Sequence, residues 1–104
     1  ITHLPPEKAL FEIGTSSDCL EAIPAAVYCF LKYPRNFGMA VLAAANAGDA
    51  ADSIAALTGA FVGSFAGADH IERQWLESVE NADLLIGVGE NFAQLLARPD
   101  IGSA

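Results

Sequence analysis

Two carboxylates and a hydroxyl fall close together at Asp49, Asp52 and Ser53, inside the stretch Asn46-Ala47-Gly48-Asp49-Ala50-Ala51-Asp52-Ser53-Ile54-Ala55-Ala56-Leu57-Thr58-Gly59-Ala60. Carboxylate and hydroxyl oxygens are hard donors that suit magnesium or calcium. An i, i+3 pair shares a helix face, so this spacing is compatible with weak binding of a single ion. The same arrangement also describes a well-capped helix. An Asp N-cap stabilises a helix by about 0.5–2 kcal/mol, and a second acid three residues on complements the helix dipole. The helix-start reading is preferred.

Other chemistry-bearing residues are sparse. His3 and His70 have no companion at ligand spacing and read as surface residues. Glu12 and Glu21 are candidate acids by type only, and no second carboxylate is placed to make a glycosidase pair. Tyr28 and Phe30 read as core aromatics. Cys19 and Cys29 lie ten residues apart in one expected helix. That puts them about 15 Å apart along its axis, too far for a bridge. They read as reduced core thiols, as in a cytosolic protein. No residue is assigned a catalytic role.

The elements that must carry these residues are helical. Residues 1–17, with their prolines, Gly14 and hydroxyl residues, are expected to be mostly loop, with one short turn around Glu7–Phe11. Asp18 to Tyr33 has apolar residues at 19, 20, 23, 26, 27, 30 and 31, the stripe of an amphipathic helix. Pro24 is tolerable near its start or as a kink, and Tyr33-Pro34 closes it. Asn36 caps a second helix to about Ala47, with Gly48 as its stop.

A third helix runs from Asp49 or Ala50 to Ala66. Gly59, Gly63 and Gly67 recur every four residues along it. Each glycine costs about 1 kcal/mol in a helix, so the spacing predicts close backbone approach to a neighbour. A short helix over 69–79 turns Ile71, Trp75, Leu76 and Val79 inward. Asn81 caps a last helix over 82–97, with an apolar stripe at 84, 85, 88, 92, 95 and 96 that ends at Arg98-Pro99. No period-2 strand is present.

Composition narrows the function classes. A chain of 104 residues is one domain at most. Its apolar share is 53% before its nine glycines are counted, above the roughly 45–50% of an ordinary domain with glycine included. The surplus predicts an oligomer, a dimer or larger, or a piece of something bigger. A net charge of −8 with five basic residues repels a phosphate backbone, which argues against nucleic acid as a partner. The longest uncharged run, residues 53–68, is shorter than the roughly 20 residues of a membrane span. No leader pattern opens the chain, so a cytoplasmic location is expected. The missing initiator Met suggests trimming.

Several of these segments resemble the ADP-ribosylglycohydrolase family. Leu20-Glu21-Ala22-Ile23-Pro24-Ala25-Ala26-Val27-Tyr28-Cys29-Phe30-Leu31 resembles a late helix of that family, and Gly14-Thr15-Ser16 its glycine-containing loop. Gly48 to Ala60 is similar to its G-G-D-(T/A)-D-(T/S)-I-A-A signature, and Gly63 to Gly67 followed by Trp75-Leu76 to its G-A-(Y/F)-x-G and tryptophan segment. The resemblance covers about residues 12–96. It implies an all-α enzyme with two magnesium ions that hydrolyses the bond joining ADP-ribose to a side chain or small acceptor. There the metals orient the ribose and activate a water.

Three departures stand out. The chain matches only the C-terminal portion, without the N-terminal acidic and Thr-Asp-Asp ligands. Its signature spaces the acids Asp-x-x-Asp rather than Asp-x-Asp, and Glu72 replaces a proline.

The expectation is therefore an all-α, compact bundle of four to five helices packed round the glycine-faced one. An N-terminal loop segment spans 1–17, a helical domain 18–98 and a tail 99–104. The resemblance makes Asp49, Asp52 and Ser53 degenerate magnesium candidates. Gly14, Thr15 and Ser16 become weak candidates for an ADP-ribose-type ligand, with a turn plus N-cap as the preferred reading of those three. The expected function is that of a truncated family member without hydrolysis on its own and without a cofactor in the isolated chain. Magnesium enters only if the family site is retained. One alternative is a self-associating, non-catalytic helical module. The other is an active hydrolase part that needs a missing half or a partner chain.

Overall fold

Pro5 and Pro6 begin a helix rather than a loop. Proline at the first helical position gives up an N–H that has no intrahelical partner anyway, and its φ is already helical. The computed structural model describes residues 3–97, and α1 runs over Pro6–Ile13. The short turn expected around Glu7–Phe11 is thus a helix, while residues 14–17 are loop as expected and residues 1–2 lie outside the described residues. Ala9 and Leu10 are buried, and Ile13 packs half-buried against the same core.

The described residues are all-α. α2 is Cys19–Lys32, α3 Phe37–Ala45 and α4 Ala51–Ala66, followed by a 3₁₀ turn at Ala68–His70, α5 at Arg73–Ser78 and α6 at Ala82–Leu96. Sequence-local signals set several of these ends. The Asp18 carboxylate accepts the Leu20 N–H at 2.8 Å and caps α2. The Asn36 side chain accepts the Met39 N–H at 3.1 Å and caps α3. α3 stops at Ala45, two residues early, and Gly48 takes φ +85° in the turn that follows. The Arg98-Pro99 stop and the 99–104 tail lie outside the described residues.

The chain divides into two compact units, one ending at Glu72 and one starting at Arg73. In the first, α4 packs on α2 and α3, and α1 on α2. Its core is built mainly from small side chains: Ala9, Ala22, Ala25, Ala26 and Ala44 surround Leu10, Tyr28, Cys29 and Ile54. The Tyr28 hydroxyl donates to the Leu4 carbonyl at 2.8 Å. On α4 the inward row is Ile54, Thr58 and Val62. The Thr58 hydroxyl donates to the Ile54 carbonyl at 2.8 Å, with the Ala26 carbonyl at 3.4 Å. In the second unit α5 packs on α6.

Three packing expectations are corrected. Three large residues of the α2 stripe are exposed, Leu20 at 80% together with Ile23 and Leu31, while Val27 and Phe30 are half-buried and the Phe30 ring packs on Phe61 and Phe65 of α4. The fully buried positions of α2 include Ala25 and Ala26, since small side chains let neighbouring helix backbones come close. The glycine row faces a neighbouring helix only at Gly59, beside Phe37 and Val41 of α3. A Cβ on Gly59 would meet the Phe37 ring at ordinary contact distance, one on Gly63 would meet open space, and Gly67 lies past the helix end at φ +86°. In the second unit Trp75 and Leu76 are only half-buried and Val79 is exposed, while the α6 stripe is exposed, with Phe92 at 60%. Asn81 precedes α6 in the left-handed region and makes no side-chain cap.

The two thiols differ sharply. Cys19 is exposed, against the expectation of a core thiol, and Cys29 is buried. Burial pushes the Cys29 thiol up to about 11, against about 8.5 in an unfolded chain. Between those pH values the unfolded chain releases a proton that the folded chain keeps. Stability is therefore untouched by this group below the window and falls as pH rises through it. Burial raises the Tyr28 phenol as well. Thermal melts from pH 8 to 11 should show a decline that Cys29→Ala makes shallower. A thiol reagent under native conditions should modify Cys19 alone. Equal labelling of both thiols contradicts this burial.

No helix among the described residues is long and apolar enough to cross a membrane.

Candidate functional site

Two loops that are far apart in sequence meet at one end of the first unit. One is the Gly14–Ser17 link between α1 and α2. The other is the turn between α3 and α4. The Ala50 N–H donates to the Thr15 carbonyl at 2.9 Å, and the Thr15 hydroxyl donates to Asp49 Oδ2 at 3.2 Å. The consecutive positive φ angles of Gly48 (+85°) and Asp49 (+44°) swing the chain back to reach Thr15. A non-glycine residue in that region costs about 1–2 kcal/mol, and the Thr15 contacts hold it there.

The Gly14 loop is tied to α2 as well. The Ser16 N–H donates to Glu21 Oε1 at 3.2 Å, and the Asp18 N–H donates to Ser16 Oγ at 3.3 Å. Gly14 has φ +94° and ψ 152°, a region essentially reserved for glycine.

Together these turns line an open depression of about 490 Å³ edged by Ser16, Ser17, Asp49, Ala50, Asp52 and Ser53. Candidates from both loops therefore meet at the depression: Ser16 from one loop and Asp49, Asp52 and Ser53 from the other line it, and Thr15 joins the two loops through its bond to Asp49. Gly14 stands behind the rim, against Glu21. Ser17 lines the depression as well.

The expected helix-start geometry is corrected in part. Asp49 is neither helical nor an N-cap, since Ala50 holds that position without a side-chain hydrogen bond. Asp49 and Asp52 are thus not an i, i+3 pair on one helix face. Asp52 does lie in the first turn of α4, where its Oδ1 accepts the Ser53 N–H at 2.9 Å.

Chemically, the rim presents oxygen donors of the type magnesium prefers. They do not form a complete set. Among the described residues no three His, Cys, Asp or Glu side chains gather closely enough to hold an ion. Two carboxylates and the neighbouring hydroxyls make an open edge, and any further protein ligands would have to come from elsewhere.

Among the described residues the fold is all-helical, and it brings the Gly14-Thr15-Ser16 loop against the turn that leads into α4, which makes an oxygen-rich rim. The chain belongs to the ADP-ribosylglycohydrolase family, whose profile matches residues 2–101. It is 32% identical over 94 residues to ADP-ribosylarginine hydrolase Tri1 of Serratia proteamaculans (strain 568), covering 90% of this chain and 25% of that protein. It is 35% identical over 92 residues to an uncharacterized protein of Archaeoglobus fulgidus, covering 88% and 29%. With ADP-ribosylhydrolase ARH3 of Homo sapiens it shares 29% over 84 residues, covering 71% and 23%. The chain thus spans about a quarter of the length of the curated relatives it matches. No solved structure matches it.

Proposed function

We propose that this chain supplies one wall of an ADP-ribosyl hydrolase site and does not hydrolyse an ADP-ribosyl bond by itself. The observation that carries the reading is the pair of hydrogen bonds from Thr15, which join the Gly14 loop to the Asp49 turn. Both segments resemble parts of the family's site, and here they share one rim. In this reading Asp49, Asp52 and Ser53 present oxygens to magnesium, and Thr15 and Ser16 present hydroxyls to an ADP-ribose-type ligand. The missing ligands belong to other polypeptide, in the same chain or a partner. The names of the Serratia and human relatives support an ADP-ribosyl substrate.

Calorimetry with magnesium chloride and ADP-ribose on this chain tests the reading. No binding at micromolar magnesium and no turnover are expected. Micromolar magnesium binding that Asp52→Ala abolishes would instead make this chain a self-sufficient metal protein.

A second reading, self-association, draws on the exposed apolar side chains of α6, among them Leu84, Leu85, Val88 and Phe92. Patches of this kind are normally covered by a partner. Light scattering is expected to give a dimer or larger. A monomer at high concentration speaks against it.

A further inference from the structure

We propose that Glu21 is the positioning residue of this rim, an inference that rests on the proposed hydrolase-wall reading for its functional meaning. Glu21 is the third residue of α2, after the Asp18 cap. A glutamate at that position usually reaches back to the N–H of the capping residue. Here it does not. The Asp18 N–H is taken by Ser16 Oγ, and Glu21 Oε1 accepts the Ser16 N–H instead. The carboxylate is therefore committed to the loop ahead of the helix.

The loop backbone is shaped to receive it. A Cβ on Gly14 would fall 2.2 Å from Glu21 Oε1 and 2.9 Å from its Cγ, so only glycine lets the loop lie against this side chain. Thr15 is thereby held between two residues that both touch Glu21. Its carbonyl and hydroxyl then fix Ala50 and Asp49 across the rim. Glu21 acts on the rim acids through the loop, by way of Ser16 and Thr15.

The test is amide hydrogen exchange by NMR on the full chain, without magnesium or ADP-ribose. Glu21→Asp keeps the charge at the helix start but is one methylene too short for Ser16. Glu21→Gln keeps the reach and an acceptor oxygen. In Glu21→Asp the Ser16 and Ala50 amides should exchange about tenfold faster, the scale of one lost hydrogen bond, while the Tyr28 and Val62 amides stay unchanged. Glu21→Gln should restore both. Unaltered exchange at Ala50 in Glu21→Asp overturns the proposal, and so does a Glu21→Gln chain that behaves like Glu21→Asp. Since no ligand enters the measurement, its outcome is independent of whether the rim binds one.

Discussion

Ile54→Ala is expected to lower stability by about 2–5 kcal/mol, the usual range when a large buried aliphatic side chain is cut back to a methyl. Ile54 is fully buried and sits in the first unit's core with Ala22, Ala25, Ala26 and Cys29. For a chain of this size each kcal/mol shifts the midpoint by roughly 4–8 °C, so a fall of about 10 °C or more is predicted.

The rim should loosen with the core. Ile54 donates its N–H to the Ala50 carbonyl at 3.0 Å and accepts the Thr58 hydroxyl through its own. The cavity would therefore open directly beneath the first turn of α4. The matching control is Leu20→Ala. That side chain is 80% exposed, and a change within about 0.5 kcal/mol is expected. Thermal or urea unfolding of the two variants decides the matter. If they lose equal stability, the inward face of the first unit has been assigned wrongly.

The second large effect is a pair of glycine substitutions with opposite signs. Gly14→Ala forces a side chain into a backbone region that costs about 1–3 kcal/mol for anything but glycine. It also drives a methyl into the Glu21 carboxylate. Glu21 can swing away, but only by dropping the Ser16 N–H. The variant should therefore melt lower and also lose the Thr15 link to Asp49, seen as shifted Ser16 and Ala50 amides. Gly63→Ala should do the reverse. Gly63 lies inside α4 with open space where its Cβ would stand. Alanine there should add up to about 1 kcal/mol by restoring helix propensity. Destabilisation by Gly63→Ala would mean that the glycine row serves a close contact at Gly63 as well.

These variants also show how far the sequence could be read. The helical class was legible throughout, as were α2 and α3, because Asp18, Asn36 and Pro34 act within one turn of the ends they set. α1 was legible only as a short turn because Pro5 and Pro6 read as loop formers, when proline at a first helical position favours a start. The inward faces of α2 and α4 were also misread. Hydrophobicity ranks Leu20, Ile23 and Leu31 above Ala22, Ala25 and Ala26. Packing against a close neighbour ranks them the other way.

At the rim, the sequence by itself determined the ingredients: oxygen-bearing residues at two helix starts, and a family signature to which both belong. Only the tertiary structure decided that Thr15 and Asp49, 34 positions apart, share a hydrogen bond. It also decided that Asp49 leaves the helix and that Glu21 serves a loop instead of a cap. Capping and turn preferences are settled among neighbours along the chain. Which loops meet depends on how α2 and α4 press together, and no short window of residues contains that information.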